Sequence, residues 1–419
     1  MKITKLKGVI DYYGEYANYF KIVEKACKEV VEAYNYKEII TPVIEPAEVF
    51  LRTVGDESDI VGKEMYLFKD RGDRQIALKP ETTASVMRMY VENKLYTEPG
   101  LKKYYYLSPN FRYDRPQAGR YRQFYQFGIE ALGVESPYLD AEVIQMAYQI
   151  FNELGLKNIK ININTLGSDE TRKNYTKALK EYFSDKLDSL CDDCKRRFNT
   201  NPLRMLDCKK DQDTDILKNV VKIQDYLSKE DDEYFAKLLK TLDELNVPYV
   251  VNAKIVRGLD YYTNDIFEFI YENENSPLNN LAIGGGGRYN NLAKEFDGPD
   301  TPSIGFGMGM ERLIGVLMEL DGKTFKKEPL VVVISLSEEA KPKAIKIANE
   351  LREIGYVVDL DYLNNNLKPQ FKLCDRLNPD FIVIIGEDEI KNNTLKIKNT
   401  KTQDQFDLKV EELKEYFKK

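Results

Sequence analysis

Residues 103–133 read KYYYLSPNFRYDRPQAGRYRQFYQFGIEALG, and this stretch decides how the chain is built. A tyrosine-rich run at 104–107 leads to Arg112, a polar turn with Pro116 and Gly119 follows, and an apolar run returns over 124–132. That is the pattern of an antiparallel hairpin with a long loop. Side chains alternate across a strand. The returning run therefore presents Gln126, Gly128 and Glu130 on one face, and Tyr125, Phe127, Ile129 and Ala131 on the other. An amide, a gap and a carboxylate on a single face make the floor of a small-molecule site. Arg112, Arg115, Arg120 and Arg122 crowd around one turn. Singly each reads as a solvated surface residue, but together they match a ligand or partner that carries phosphates.

The composition narrows the chemistry. At 419 residues the chain is long enough for two or three domains. Its formal net charge is −7, which excludes a protein that coats nucleic acid non-specifically, so any nucleic acid must meet a local patch. There is no histidine. A Ser-His-Asp triad, a Cys-His pair and a His-ligated metal are therefore excluded. Catalysis has to run on arginine, lysine, carboxylates, tyrosine, amides and the substrate's own groups. No apolar run is long enough to span a bilayer. The opening MKITKLKGVID lacks the apolar core of a secretory signal. Five scattered cysteines fit a reducing compartment, and the expected location is cytoplasmic.

Around the hairpin the pattern is mixed. Apolar spacing predicts helices over 17–34, 84–92, 139–154 and 310–320. It predicts strands over 38–43, broken by Pro42, and over 76–79, 157–166, 253–256, 267–271 and 302–308. The four glycines at 284–287 let backbone approach a ligand closely. No Gly-Lys-Ser/Thr follows them, so they are not a phosphate-binding P-loop. Residues 52–62 read as a polar loop and 321–329 as a polar linker. Beyond the linker, strand and helix patterns alternate, as in an α/β unit with a mostly parallel sheet.

Residues 169–250 are rich in Lys, Asp, Glu and Leu at helical spacing and read as a helical insertion. Cys191 and Cys194 lie three apart, with Cys208 further on, which is a start toward a zinc site. No fourth cysteine is close and histidine is absent, so the set is incomplete and reads as reduced thiols. No protein-held metal is assigned. The basic cluster Lys195, Arg196, Arg197 and Arg204 reads equally as a polyanion contact or a solvated face.

Three arginine-bearing segments on one antiparallel sheet, an insertion and an α/β tail resemble the class II aminoacyl-tRNA synthetases, specifically the histidyl-tRNA synthetase family. The class-wide motif 1 resembles the first helix and the strand near Pro42, motif 2 the run from Arg112 to Glu130, and motif 3 the run GMGMER at 307–312. The histidine-specific signatures resemble VRGLDYYT at 256–263 and GGGRY at 285–289. The resemblance spans essentially the whole chain. It implies an α+β fold: a class II antiparallel-sheet catalytic domain at 1–168 and 251–325, a helical insertion at 169–250, and an α/β anticodon-binding domain at 326–419. It implies a homodimer formed through the motif 1 region near Pro42, with L-histidine, ATP, Mg²⁺ and tRNA(His) as the molecules handled.

Roles follow from the same resemblance. Arg112 and Arg257 flank the α-phosphate as the catalytic pair, while Arg120 and Arg312 hold the β- and γ-phosphates. Glu81, Thr83 and Gln126 take the α-amino and carboxylate groups of the amino acid. Glu130 and Tyr262 bond the imidazole nitrogens, Tyr289 lines the pocket, and Arg115 and Gln117 face the tRNA acceptor end. Three departures stand out. Pro80-Glu81-Thr82-Thr83 replaces Pro-Glu-Gly-Thr, and Arg288-Tyr289-Asn290-Asn291 replaces Arg-Tyr-Asp-Gly. Tyr125 stands where histidine is common, and alternation assigns it a packing role behind the site. A regulatory paralogue would be expected to lose the catalytic arginines and the tail, and this chain has both. A threonyl enzyme would need metal-binding histidines.

Overall fold

The hairpin becomes the two longest strands of an eight-stranded sheet. The structure is a computed structural model describing residues 2–53, 60–117, 119–320, 329–363 and 366–418. Most of the expected 52–62 loop and of the 321–329 linker lies outside the described residues. The strands are β1 (Lys37–Glu38), β2 (Ile44–Pro46), β3 (Tyr66–Lys69), β4 (Gln75–Leu78), β5 (Lys102–Phe111), β6 (Gln123–Leu132), β7 (Ile159–Thr165), β8 (Val250–Val251), β9 (Asp265–Tyr271), β10 (Leu281–Arg288) and β11 (Ser303–Gly309). A second unit adds β12 (Leu330–Ser335), β13 (Val357–Leu360), β14 (Phe381–Ile385), β15 (Thr394–Asn399) and β16 (Gln405–Lys409).

The main sheet has the order β1-β5-β6-β11-β10-β9-β7-β8. Its six central strands pair antiparallel, and the two short edges join in parallel. Register then determines two faces. Tyr106 lies opposite Gly128, which lies opposite Gly307, which lies opposite Gly285. Glu130 lies opposite Gly305, and Glu268 opposite Gly285. The face carrying these residues is polar and largely glycine at its centre. The reverse face carries Tyr105, Phe127, Ile129, Phe306, Phe267, Phe269, Ile161 and Ile163, all buried.

Three helices cover that apolar face: Gly14–Ala33, Pro137–Glu153 and Met310–Glu319. The second shows why such a segment folds as it does. Ser136 caps it by accepting the Tyr138 N–H, Pro137 occupies its first position, and Gly155 ends it at φ 68°. Val143, Ile144, Ala147, Ile150 and Phe151 form its buried stripe, with Phe151 edge-on to Phe269 at 5.1 Å. Arg288 ties this helix to β10. The guanidinium is fully buried, donating to both oxygens of buried Asp140 (2.8 Å to Oδ2) and to the Val134 and Ser136 carbonyls at 3.2 Å. The departure at Asn290 is absorbed beside it. Its side chain accepts from Ser303 N at 3.1 Å and donates to Asn264 and Glu135 at 3.3 and 3.2 Å, closing the turn without a carboxylate. Asn291 begins a short 3-10 turn, Leu292–Phe296.

The insertion packs helices Asp169–Phe183 and Asp192–Thr200 around Tyr175, Leu179, Phe183, Cys194 and Met205, while its helix Lys229–Glu244 lies against Pro137–Glu153. It clusters with the sheet in one unit, Met1–Asp321; Gly322–Lys419 forms the other.

Three expectations need correction. The strand expected at 38–43 is only β1, because the chain changes sheets there. Ile39 still donates to the Tyr105 carbonyl, and Val43 accepts from Lys79 N, so Pro42, which has no N–H, falls between the two ladders. Buried Lys79 anchors the crossing by donating to the Thr41 carbonyl and hydroxyl at 3.2 and 3.0 Å. Residues 253–256 are not a strand. The Asn252 side chain accepts from Lys254 N at 3.1 Å and its carbonyl accepts from Ile255 N, so a turn delivers Arg257. The sheet of the second unit, ordered β13-β12-β14-β15-β16, is parallel only at β12–β13 and β12–β14. The helix after β14, Glu387–Asn392, is too short for a parallel crossover, so β15 returns antiparallel.

The buried Arg288–Asp140 pair makes a prediction. Removing one partner strands a buried charge at a cost of about 3–5 kcal/mol. Arg288→Ala should lower the unfolding free energy in urea by that amount, whereas a loss under about 1 kcal/mol would mean that Asp140 is neutral in the folded chain.

Candidate active site

On the polar face, missing side chains make the room. A Cβ at Gly305 would collide with the Glu130 carboxylate, and one at Gly307 with the Gln126 amide. Glycine at both lets these two side chains lie flat along the sheet. They floor a cavity of about 550 Å³, lined also by Glu81, Thr83, Arg112, Arg120, Arg257, Tyr262, Tyr289 and Arg312. All the residues expected at the site converge here except Arg115 and Gln117, which lie exposed on the hairpin loop.

One end of the cavity is acidic and ringed by hydroxyls. Glu130 Oε1 accepts from Thr83 Oγ1 at 2.7 Å and Tyr106 OH at 3.2 Å, and Oε2 accepts from Tyr289 OH. Burial pushes its acid up to about 8 despite these donors. Glu81 accepts the backbone N–H groups of Thr83 and Ala84, both at 2.8 Å, at the start of helix Thr83–Glu92, and burial raises it as well. Gln126 is oriented by Asn110 Nδ2 at 2.7 Å, and Asn110 Oδ1 accepts from Thr82 Oγ1 at 3.0 Å. This makes Thr82, the residue that departs from the family's glycine, part of the support for Gln126. Tyr262 touches Arg257 rather than Glu130, the guanidinium standing 5.7 Å from its ring centre.

The other end is crowded with arginine. Arg112 donates Nε to the Pro80 carbonyl at 2.9 Å and stands over the Phe124 ring at 5.3 Å. Arg120 pairs with Asp114 at 3.1 Å, and Arg257 with Glu268 at 3.2 Å. Arg312 is held by the carbonyls of Gly119 (2.9 Å) and Ala282. Burial, then repulsion from Arg120 and Arg112, lowers Arg312 to about 10. Burial likewise holds Arg112 below its ordinary value. Cations pressed together away from water are a built-in demand for an anion of several charges.

Tyr125 lies behind the floor, edge-on to Phe20 and Tyr12 at 5.1 and 5.6 Å, and its N–H donates to Glu311 at 2.7 Å. Glu311 thereby fixes the start of helix Met310–Glu319, from which Arg312 reaches the cavity. Several lining or supporting residues were not singled out in the sequence. Tyr106 and Asn110 are legible once the hairpin register is drawn, since alternation puts both on the Gly128 face. Glu268 gives no local signal, because its partner Arg257 comes from a turn. Leu206, Asp207 and Gln212 reach the cavity from the insertion, which no periodicity reveals.

Known proteins resemble the chain along its length. The sequence profile described as Histidyl-tRNA synthetase matches residues 8–313, and that described as Anticodon binding domain matches 330–419. Histidine--tRNA ligase of Staphylococcus haemolyticus (strain JCSC1435) is 42% identical over 414 residues, covering 98% of each chain. The same enzyme of Staphylococcus aureus (strain Newman) is 42% identical over 415 residues, covering 99% of each. The apo S. aureus histidyl-tRNA synthetase structure superposes with a TM-score of 0.84 at 37% identity over the full length of both chains. Histidyl-tRNA synthetase from Nostoc sp. PCC 7120 shares the fold, with a TM-score of 0.72 at 20% identity over both full lengths. With the matched profile covering most of its length and its relatives spanning it end to end, the chain belongs to the histidyl-tRNA synthetase family.

Proposed function

We infer that the acidic end of the cavity holds L-histidine and the arginine end holds the triphosphate of ATP. The chain is a ligase: it activates L-histidine with ATP to histidyl-adenylate and transfers the histidyl group to the 3′ end of tRNA(His). The observation that carries the site assignment is that Glu130 and Glu81, both raised by burial, stand at one end of a glycine floor and Arg112 and Arg312, both lowered by burial, at the other.

In the first step the substrate carboxylate attacks the α-phosphate and pyrophosphate leaves. The nucleophile is already ionised, so no general base is required, and the protein's task is positioning and neutralising oxygen charge. Arg112 and Arg257 flank the α-phosphate; Arg120 and Arg312 hold the β- and γ-phosphates. Glu81, Thr83 and Gln126 take the α-amino and carboxylate groups, which aims the carboxylate at the arginines. Glu130 and Tyr262 bond the imidazole nitrogens, and Tyr289 closes the pocket. Mg²⁺ would accompany the ATP; Glu268, a hard oxygen donor among the arginines, would hold it, and the ion would supply positive charge at the phosphates. In the second step a ribose hydroxyl of the terminal adenosine attacks the adenylate carbonyl, AMP leaves, and a phosphate oxygen takes the hydroxyl proton. Exposed Arg115 and Gln117 meet the acceptor end, and residues 330–419 take the anticodon. The protein works as a cytoplasmic homodimer. Ile40 (89% exposed) and Ile44 (51% exposed) flank exposed Pro42 and supply apolar surface for the partner. Among the described residues no helix is long and apolar enough to cross a membrane.

Three variants test this reading. Arg257→Ala should cut histidine-dependent ATP–pyrophosphate exchange by about 10²–10³; near-normal exchange would remove Arg257 from the transition state. Glu130→Gln should raise the KM for histidine about 10- to 100-fold, since a hydrogen bond to a charged group is worth about 1.5–3 kcal/mol. The same variant has a pH signature. The acid sits near 4.5 unfolded and about 8 folded, so the folded parent loses stability as pH rises between those values. Ligand-free Glu130→Gln should therefore melt above the parent at pH 8 and converge on it toward pH 5; a constant offset would show that Glu130 does not hold a proton. Ile40→Asp should shift the sedimenting species from dimer to monomer, and an unchanged dimer would place the interface elsewhere.

A further inference from the structure

The insertion brings together what its sequence left scattered. Cys191 sits at the N-cap of helix Asp192–Thr200, Cys194 in its first turn, and Cys208 and Asp211 on the segment that follows the 3-10 turn Pro202–Met205. The three sulfurs and an Asp211 carboxylate oxygen all lie within 4.8 Å of one another, and Cys194, Cys208 and Asp211 are buried. The fourth donor, missing when only cysteines and histidines are counted, is an aspartate.

Two of the cluster's separations match a coordination shell. Cys191 Sγ and Cys208 Sγ are 3.6 Å apart, and Cys208 Sγ and Asp211 Oδ2 are 3.5 Å apart. Tetrahedral ligands at zinc bond lengths of about 2.3 Å to sulfur and 2.1 Å to oxygen sit about 3.8 Å apart for two sulfurs and about 3.6 Å for sulfur and oxygen. The Asp211 carboxylate is also oriented, accepting Cys191 N at 3.1 Å on Oδ2 and 3.3 Å on Oδ1. Three thiolates and a carboxylate around a divalent ion leave two negative charges in excess. Lys210, held by Asp193 at 3.0 Å, stands near enough to Cys191 and Cys208 to offset part of them.

We propose that Cys191, Cys194, Cys208 and Asp211 bind one structural zinc ion. On binding, each of the three thiols releases its proton to solvent and forms a sulfur–zinc bond, and Asp211 supplies one carboxylate oxygen. No redox step is involved. The ion clamps the segment 206–212 to the helix Asp192–Thr200. Leu206, Asp207 and Gln212 of that segment line the catalytic cavity, so the site stiffens the wall that the insertion contributes.

The test uses the full chain purified under reducing conditions without chelator. Zinc by plasma mass spectrometry should be one per chain in the parent and in Cys374→Ser, whose cysteine lies in the other unit, and lost in Cys194→Ser. Replacing zinc with Co²⁺ in the parent should give thiolate-to-cobalt charge-transfer bands and the intense visible bands of a tetrahedral ion. This second measurement stands even where Cys194→Ser fails to fold. A parent that stays substoichiometric after incubation with Zn²⁺ and gives no tetrahedral Co²⁺ spectrum overturns the proposal. So does a Cys191–Cys208 disulfide found by mass spectrometry in the folded, active protein.

Discussion

Three neighbouring strands surrender their side chains on one face of the main sheet, and the site depends on that absence. Gly128, Gly307 and Gly285 lie in a row across β6, β11 and β10, with Gly305 beside Glu130. A sheet normally spends both faces on side chains. Here the reverse face holds the apolar core under three helices, and the cleared face lets Glu130, Gln126 and Arg257 lie close to backbone. Steric exclusion is the governing constraint, because a methyl group at Gly305 or Gly307 would occupy the volume of a functional side chain. The same close packing restricts the rotamers open to Glu130 and Gln126.

Electrostatics completes what sterics begins. Burial raises Glu130 and Glu81, and burial with mutual repulsion lowers Arg312. A core that had to satisfy only itself would pair these groups, as Arg288 and Asp140 are paired behind the sheet. At the cavity Arg120 and Arg257 hold Asp114 and Glu268, but Glu130 and Glu81 bond hydroxyls and backbone N–H groups, and Arg112 and Arg312 bond carbonyls. The proposed ligand, with an ammonium and an imidazole at one end and phosphates at the other, would relieve both of these latter sets. The free-state cost and the selectivity of the site thus come from the same arrangement.

Much of this was readable along the chain. The hairpin, the face bearing Gln126 and Glu130, the packing side of Tyr125 and the helix read at 139–154 follow from period and a stop glycine, which are local. The readings that failed have two causes, a competing local turn and partners that are distant. Residues 253–256 look β-prone, but the Asn252 side chain bends them. Residues 38–43 look like one strand, but their two ends join different sheets. Glu268 and Asp211 carry no motif of their own, and acquire meaning only beside Arg257 and the cysteines.

By itself the sequence determined a small-molecule floor at Gln126 and Glu130 beside arginines suited to phosphates, and its resemblance to the histidyl-tRNA synthetases implied the reaction. It also determined the fold of each segment whose hydrogen bonds and apolar period are closed within a few residues. Only the tertiary structure decided which carboxylate serves which cation, how the hydroxyls of Thr83, Tyr106 and Tyr289 converge on Glu130, and that an aspartate completes the cysteine cluster. The reason is physical: such contacts join residues from tens to well over a hundred positions apart, and their geometry is set by strand register and burial, which belong to the folded chain as a whole.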